Sequence, residues 1–390
     1  MKPIYLDYNA TSPIDPGVTE AMAPYLKGGL EGRFGNPSSS HQYGQEAHSA
    51  VDRAREQVAE LLGCKPDEVV FTGCGSEADN LAIKGVAEAY RGKGNHIITS
   101  QIEHPAVQNT CRYLERHDYE VTYLPVDEYG LVDPAAVEAA ITERTILISI
   151  MHANNEVGTV EPIAAIGSIA RRRGVLLHTD AAQSVGKIPT KVDELAVDLL
   201  TVAGHKLYAP KGIGALFVRA GTRLEPLIHG AGHEGGRRAG TENVPYIVAL
   251  GKACEIAWKT MAAYVPQLQE LRDRLQRLLA SELSGLKLNG HATERLPNTL
   301  NISFPGVDGE ALLILTPQVA ASTGSACHAG RTEPSTVLLA MGLQREIALG
   351  AVRLSLGKFT TAKEIDQAAA ALIRGVKQAR SESRTRGGSP

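Results

Sequence analysis

Residues 145–180, TILISIMHANNEVGTVEPIAAIGSIARRRGVLLHTD, decide the fold. They open on TILISIM (145–151), apolar on both faces and rich in β-branched side chains. A helical period follows over 163–173, and the stretch closes on a second apolar run, VLLHTD (175–180). Two continuous apolar strands joined through a helix read as a parallel unit, because a sheet covered on both faces buries its strands without alternation. The same pattern extends outward. Upstream stand EVVFT (68–72), an amphipathic helix SEADNLAIKGVAEAY (76–90), HIITS (96–100), a helix over 105–117 and EVTYL (120–124). Downstream stand DLLTV (198–202) and GALFV (214–218). The fold class is therefore α/β, a mainly parallel sheet between helices. Ligands of such sheets sit beyond the carboxyl ends of the strands, so chemistry is sought in the loops that follow them.

The chain's 390 residues suffice for two or three domains. The stretch 244–283 is helical apart from Pro245 and Pro266 and reads as a connector into a second unit. That unit carries strands near 299–304, 319–322 and 351–356, with helices around 309–315, 334–341 and 362–378. The tail SESRTRGGSP (381–390) reads as disordered. Lys and Arg number 40 against 43 Asp and Glu, a balance that gives no support to direct nucleic-acid binding or a polybasic membrane contact. No apolar run is long enough to span a bilayer, and the start MKPIYLDYNATSP lacks the features of a secretory or transit signal. Five cysteines, an odd number without a CxxC pair, argue against a disulfide framework or a zinc ribbon. The expected setting is soluble and cytoplasmic.

Four loops carry candidate chemistry. In Gly73-Cys74-Gly75-Ser76-Glu77, between a strand and a helix, small residues let backbone N–H groups close on an anion at a positive helix end. Ser76 is equally suited to capping that helix, and Gly73 to Ala78 also matches G-x-G-x-x-A. A phosphate site is expected there; whose phosphate stays open. Asp180 ends the strand 175–180, where it either pairs with a heterocyclic nitrogen or caps the next turn. Lys206 follows the strand 198–202 in Gly204-His205-Lys206, a place where a lysine can form a Schiff base with an aldehyde. A lone lysine is ordinarily a solvated surface group. Lysine, acid and anion turn together are the set that pyridoxal phosphate requires.

Cys327 differs from Cys64, Cys74, Cys111 and Cys254, which fit structural readings in helical, helix-end or turn contexts. It stands in a loop of small residues, ASTGSACHAG (321–330), beside His328, a setting that can expose a reactive thiolate; the alternative is a small buried residue ahead of a helix. His104 follows the strand 96–100 and precedes Pro105, so it points into the same crevice. There it can stack on a ring, move protons or make a helix-entry hydrogen bond. His229 and His233 share a Gly-rich loop rather than a helix face, and no metal site is expected.

Taken in order, YLDYNATSP, GNPSSSHQYG, FTGCGSEADNLAIKG, IEHPAV, MHANNEVGTVEPI, HTDAAQSVGK, GHKLYAPKGIGAL, GRRAGTENVP, LPNTLNISF, STGSAC with EPSTVLLAMG, and VRLSLGKFTT run nearly the whole chain. The series resembles the cysteine desulfurase family of pyridoxal-phosphate enzymes, the NifS/IscS-like class. The resemblance implies fold type I, aspartate-aminotransferase-like, working as a homodimer. It places a large cofactor-binding domain over 16–255 and a smaller α+β domain over 1–15 and 256–380, which carries the Cys327 loop. Carried over by position, Lys206 would hold the cofactor aldehyde, Asp180 the pyridine nitrogen and Gln183 the ring hydroxyl, with His104 stacked on the ring. Gly75, Ser76 and His205 would hold the phosphate, joined by Thr241 of the neighbouring subunit. Asn155 and Arg353 would orient the substrate carboxylate. Cys327 would accept the sulfur of L-cysteine as a persulfide, leave L-alanine, and serve an acceptor protein; iron–sulfur cluster biosynthesis, tRNA thiolation and DNA phosphorothioation all draw on such enzymes.

One position departs from the pattern. The family commonly has a serine where this chain has Ala203, so one hydroxyl contact to the phosphate is expected to be missing and cofactor retention somewhat weaker. Selenocysteine lyase shares the fold and cofactor and is the alternative substrate reading. A dinucleotide-dependent dehydrogenase built on the Gly73 turn is the alternative chemistry, and it explains neither Lys206 nor Cys327.

Overall fold

The computed structural model describes residues 2–324, 326–328 and 331–386, without the side chains of 326–328, 331–332 and 383–386. The chain begins with β1 (Ile4–Tyr5), α1 (Pro16–Leu26) and α2 (Gln42–Leu62). The alternating region follows: β2 (Val69–Thr72), α3 (Gly75–Ala89), β3 (His96–Ser100), α4 (Pro105–Glu115), β4 (Glu120–Leu124), α5 (Pro134–Ala140) and β5 (Thr145–Ser149). It continues through α6 (Ile163–Arg173), β6 (Leu176–Asp180), α7 (Val192–Leu195), β7 (Leu199–Ala203) and β8 (Gly214–Val218). Together β2 to β8 form one sheet in the order β2-β8-β7-β6-β5-β3-β4. All neighbours are parallel except β8, which runs against both β2 and β7. β5 and β7 are buried at every position, as their unbroken apolar runs require.

The strand order reverses at β3, which has β4 on one side and β5 on the other, with β6 and β7 beyond β5. Such a reversal opens a crevice at the carboxyl ends, since the flanking connections leave to opposite faces. One face of the sheet packs on α2, α6 and the first part of α8 (Val244–Glu282); the other packs on α3 and α4.

α8 has 39 residues, about 58 Å at the rise of a helix. Val244, Ile247, Leu250, Cys254 and Ala257 are buried in the large-sheet core, and Leu268, Leu275 and Leu279 are buried in a second one. Pro266 falls between the two buried stretches and does not end the helix. The second core is built on β9 (Lys287–Asn289), β10 (Thr299–Ser303), α9 (Gly309–Leu315) and β11 (Val319–Ala320), the last pairing with β1. Then come β12 (Ala326–His328), β13 (Arg331–Glu333), α10 (Thr336–Ala340), α11 (Arg345–Leu349), β14 (Ala351–Ser355) and α12 (Ala362–Arg386). β14, β10 and β9 form an antiparallel sheet, and Leu6 from the N-terminal segment joins its core.

Two expectations are corrected here. The tail expected to be disordered from 381 is helical to Arg386; Gln378 and Glu382, one turn apart, share a hydrogen bond of 2.9 Å that supports the extension. Residues 387–390 lie outside the described residues. The loop reading of 321–330 gives way in part to strand, because β12 pairs with β13 and sets Cys327 opposite Thr332. The Cys327 side chain lies outside what is described, so its expected exposure stays an expectation.

Candidate active site

The carboxyl ends of five strands meet at one cavity of about 230 Å³. After β2 it is lined by Cys74, Gly75, Ser76 and Asp79, after β3 by His104, and after β5 by Met151, Ala153 and Asn155. After β6 come Asp180, Ala182 and Gln183, and after β7 Ala203, His205 and Lys206; Ala10 closes the wall from the N-terminal segment. The volume lies below the 300–1,000 Å³ of drug-sized pockets, so the cavity suits a single ring rather than a dinucleotide.

The anion turn has the geometry expected of it, with one change of role. Cys74, not Ser76, is the N-cap of α3, its Sγ accepting from Glu77 N–H at 3.4 Å. Ser76 sits inside the first turn, and its side chain is left for the cavity. Cys74 thus has the structural role expected of it in the turn, and it is also exposed and lines the wall. A Cβ at Gly75 would stand 3.0 Å from the Ala203 Cβ, so glycine lets the start of the helix lie against the end of β7. Glu77 receives Gly73 N–H at 2.8 Å and pairs with Arg238 at 2.8 Å, which ties the glycine-rich loop after β8 to this turn.

Asp180 caps the next turn, its Oδ1 accepting from Ala182 N–H at 2.9 Å, and the residue also lines the cavity, where its pairing with a heterocyclic nitrogen stays an expectation. His104 likewise caps α4, its Nδ1 accepting from Ala106 N–H at 3.1 Å, while it faces the same space. Pro105 at the first helical position fixes this entry. Lys206 stands in the 3-10 turn Gly204–Lys206 that follows β7, the strand next to that of Asp180, and its Nζ donates to the Asn9 carbonyl at 2.8 Å. Gln183 Nε2 donates to the same carbonyl at 3.0 Å. His205 is set by Thr11, 3.2 Å from its Nδ1, and its own carbonyl accepts from Ser12 N–H.

Arg353 on β14 does not line the cavity. It reaches its rim, donating to the Asn155 carbonyl at 3.0 Å and to Asp7 at 2.8 Å, while Nε is buried without a partner among the described residues. Thr241 is exposed and is not brought to this chain's own cavity.

Burial sets the charges. The Lys206 amine is pushed down to about 8 by desolvation, partly opposed by Asp180 and reinforced by Arg353. Desolvation likewise lowers His104, with Asp180 raising it and Lys206 lowering it, and holds His205 at about 4. In the wall itself, burial and the neighbouring Asp180 raise the Asp79 carboxyl well above its ordinary range. Glu103 is raised to about 8 by burial, although Ser100 and Met151 donate to it. Asp79, Glu103, Asn9 and Lys187 were not singled out from sequence. Each lies inside a quoted motif, but its importance comes from burial against distant segments, for which a single sequence has no mark.

A lysine and an acid at the ends of adjacent parallel strands, facing a glycine turn that opens a helix, define a pyridoxal-phosphate site of fold type I. The chain belongs to the aminotransferase class-V family, whose model matches residues 4–368. It is 52% identical over 367 residues to the cysteine desulfurase IscS of Pectobacterium carotovorum subsp. carotovorum, covering 93% of this chain and 90% of that one. Among solved structures it is similar to a NifS-like protein at 38% identity and a TM-score of 0.89, covering 95% of this chain and 98% of that one. SspA in complex with cysteine is 39% identical with a TM-score of 0.80, covering 92% of this chain and 99% of that one. The cofactor of these enzymes is pyridoxal 5'-phosphate, and the residues present here fit it. The donor set is right, and the space that a Cβ at Gly75 would crowd is kept open beside the α3 N-terminus.

Proposed function

We propose that the chain is a cysteine desulfurase, taking sulfur from L-cysteine, releasing L-alanine and passing the sulfur through Cys327 to an acceptor protein. The observation that carries this reading is that Asp180 and Lys206 stand at the carboxyl ends of adjacent strands and line one cavity, within a chain that is half identical to enzymes named for the activity. The curated relative compared above is named a cysteine desulfurase, and one of the solved structures is titled as a complex with cysteine.

Bound in the cavity, pyridoxal phosphate supplies an aldehyde for the substrate amine and a ring that withdraws electrons from the reacting carbons. Gly75, Ser76 and His205 would hold its phosphate, with Thr241 contributed by a second copy in a homodimer. Asp180 would keep a proton on the ring nitrogen, Gln183 would meet the ring hydroxyl, and His104 would stack on the ring. The substrate carboxylate lies between Asn155 and Arg353, whose partnerless Nε is a donor in waiting. With its pKa near 8, Lys206 has enough neutral amine at cellular pH to take the Cα proton and return it, and the lowered pKa of His104 lets it share that proton. The Cys327 thiolate then bonds to the substrate sulfur. The carbon–sulfur bond breaks, its electron pair stays with carbon, and a proton completes L-alanine.

The sulfur acceptor belongs to iron–sulfur cluster biosynthesis in this reading, after the relatives' name. Residues 16–255 form the cofactor-binding domain and 1–15 with 256–380 the small one, which the two separate hydrophobic cores joined by α8 support. Cytoplasmic location accords with a chain in which no described helix is long and apolar enough to cross a membrane. The test is Cys327→Ser: the protein should stay yellow and loaded with cofactor yet make no alanine from cysteine, whereas normal turnover would reject the assigned sulfur carrier.

A further inference from the structure

We infer that Lys187 is a positioning residue: it fixes the carboxamide of Gln183 so that the cavity meets an N–H donor and never the carbonyl oxygen. This rests on the reading of Gln183 as the partner of the ring hydroxyl. Lys187 lies in the loop after β6 and is 6% exposed. Its Nζ donates to the Gln183 main-chain carbonyl at 2.9 Å and to Gln183 Oε1 at 3.2 Å. At the other end of the same amide, Nε2 donates to the Asn9 carbonyl at 3.0 Å.

The donor logic is closed. An amine beside Oε1 and a carbonyl beside Nε2 each demand the same orientation of the amide, because the first gives hydrogens and the second only accepts them. Even when neutral, the lysine has two N–H bonds for its two oxygens. With Oε1 engaged and one N–H on Asn9, the second N–H of Gln183 remains for the cavity that the residue lines. That corner therefore favours a ring oxygen in its anionic form.

A buried amine needs such a reason. Both hydrogen-bond partners of Lys187 among the described residues are oxygens of Gln183, with no carboxylate among them. Burial, Lys206 and Arg353 push its pKa down to about 7. A core that needed only to be filled would use an apolar side chain there at less expense in desolvation. Without Lys187, Oε1 is left buried and unpaired, and the amide is held at one end only.

The experiment is a spectral titration of the pyridoxal-phosphate-loaded protein, reading the pH at which its visible colour changes. A donor at the ring oxygen weakens the hold of that oxygen on the proton it shares with the lysine nitrogen, so losing the donor raises this pH. Lys187→Met and Gln183→Leu should each raise it by about one unit, and the double variant should rise no further than Gln183→Leu alone. An unmoved value in Lys187→Met overturns the proposal. So does a shift that adds in full to that of Gln183→Leu, since the lysine would then act by its charge alone. No shift in Gln183→Leu instead removes the underlying reading of Gln183, a result independent of Lys187. Lys187→Leu is the second variant; failure of both lysine variants to fold assigns the residue to the core and overturns the proposal.

Discussion

Lys206 is distinguished from the chain's other lysines by what surrounds its amine. A pKa of about 8 leaves roughly a tenth of it neutral at pH 7, against a few parts in ten thousand for an ordinary lysine. In protein freed of cofactor, an amine-reactive reagent should therefore label Lys206 at a rate that is half-maximal near pH 8 and level about one unit above it, while surface lysines keep rising past pH 10. Peptide mass spectrometry reads the site, and a surface-like profile at Lys206 would contradict the burial argument. Glu103 allows a test of opposite sign. Burial raises its folded pKa to about 8 from the ordinary 4.5, so the native state keeps a proton that the unfolded chain releases. The associated stability is present below pH 4.5 and is lost as pH rises through 8. Glu103→Gln should gain thermal stability relative to the parent between pH 5 and 8, and equal midpoints across that range would show the carboxyl to be ionised when folded. Lys206 and Asp180 were legible beforehand because each ends an apolar strand, and chain order alone puts strand ends at the ligand. Glu103 and Lys187 were not, since a charge buried by distant segments looks locally like a charge in water.

Where β7 meets the start of α3, two elements set how firmly the phosphate end is gripped. Ala203 ends β7, and its Cβ is the atom that a side chain at Gly75 would strike. Ala203→Ser adds a hydroxyl at this junction and should slow cofactor release by about 3–10-fold, the value of one net hydrogen bond. Gly75→Ala should do the reverse, because the added Cβ pushes the helix end from the strand end. Dialysis with absorbance readout separates them, and a faster loss from Ala203→Ser would mean that the hydroxyl crowds the turn. The alternation of strand and helix was readable here since period and length agree in every segment. The direction of β8 was not. The ten residues 204–213 between β7 and β8 hold only a single 3-10 turn at Gly204–Lys206, too little for the crossover that a parallel neighbour needs, so the chain folds straight back.

At the scale of the molecule, Arg353 comes from β14 of the β14-β10-β9 sheet and binds groups from two other parts of the chain. Its guanidinium meets Asp7 of the N-terminal segment and the carbonyl of Asn155 beyond β5, and the residue is 6% exposed. Asn9 ties the same three regions, bonding Thr299, Asn298 and the Asn155 carbonyl through its side chain. The substrate carboxylate would thus be gripped where both cores join, and the position of one relative to the other becomes part of substrate binding. Arg353→Lys preserves charge but cannot keep the planar fork that reaches Asp7 and Asn155 while presenting Nε inward. L-Cysteine should then bind more weakly, with kcat/KM down about 10–100-fold and most of the change in KM. Asp7→Asn, which loosens the fork without removing it, should produce a smaller change in the same direction. A fall in kcat at constant KM in both variants would instead place Arg353 at the transition state rather than at the carboxylate, because only uniform binding is expressed as KM alone.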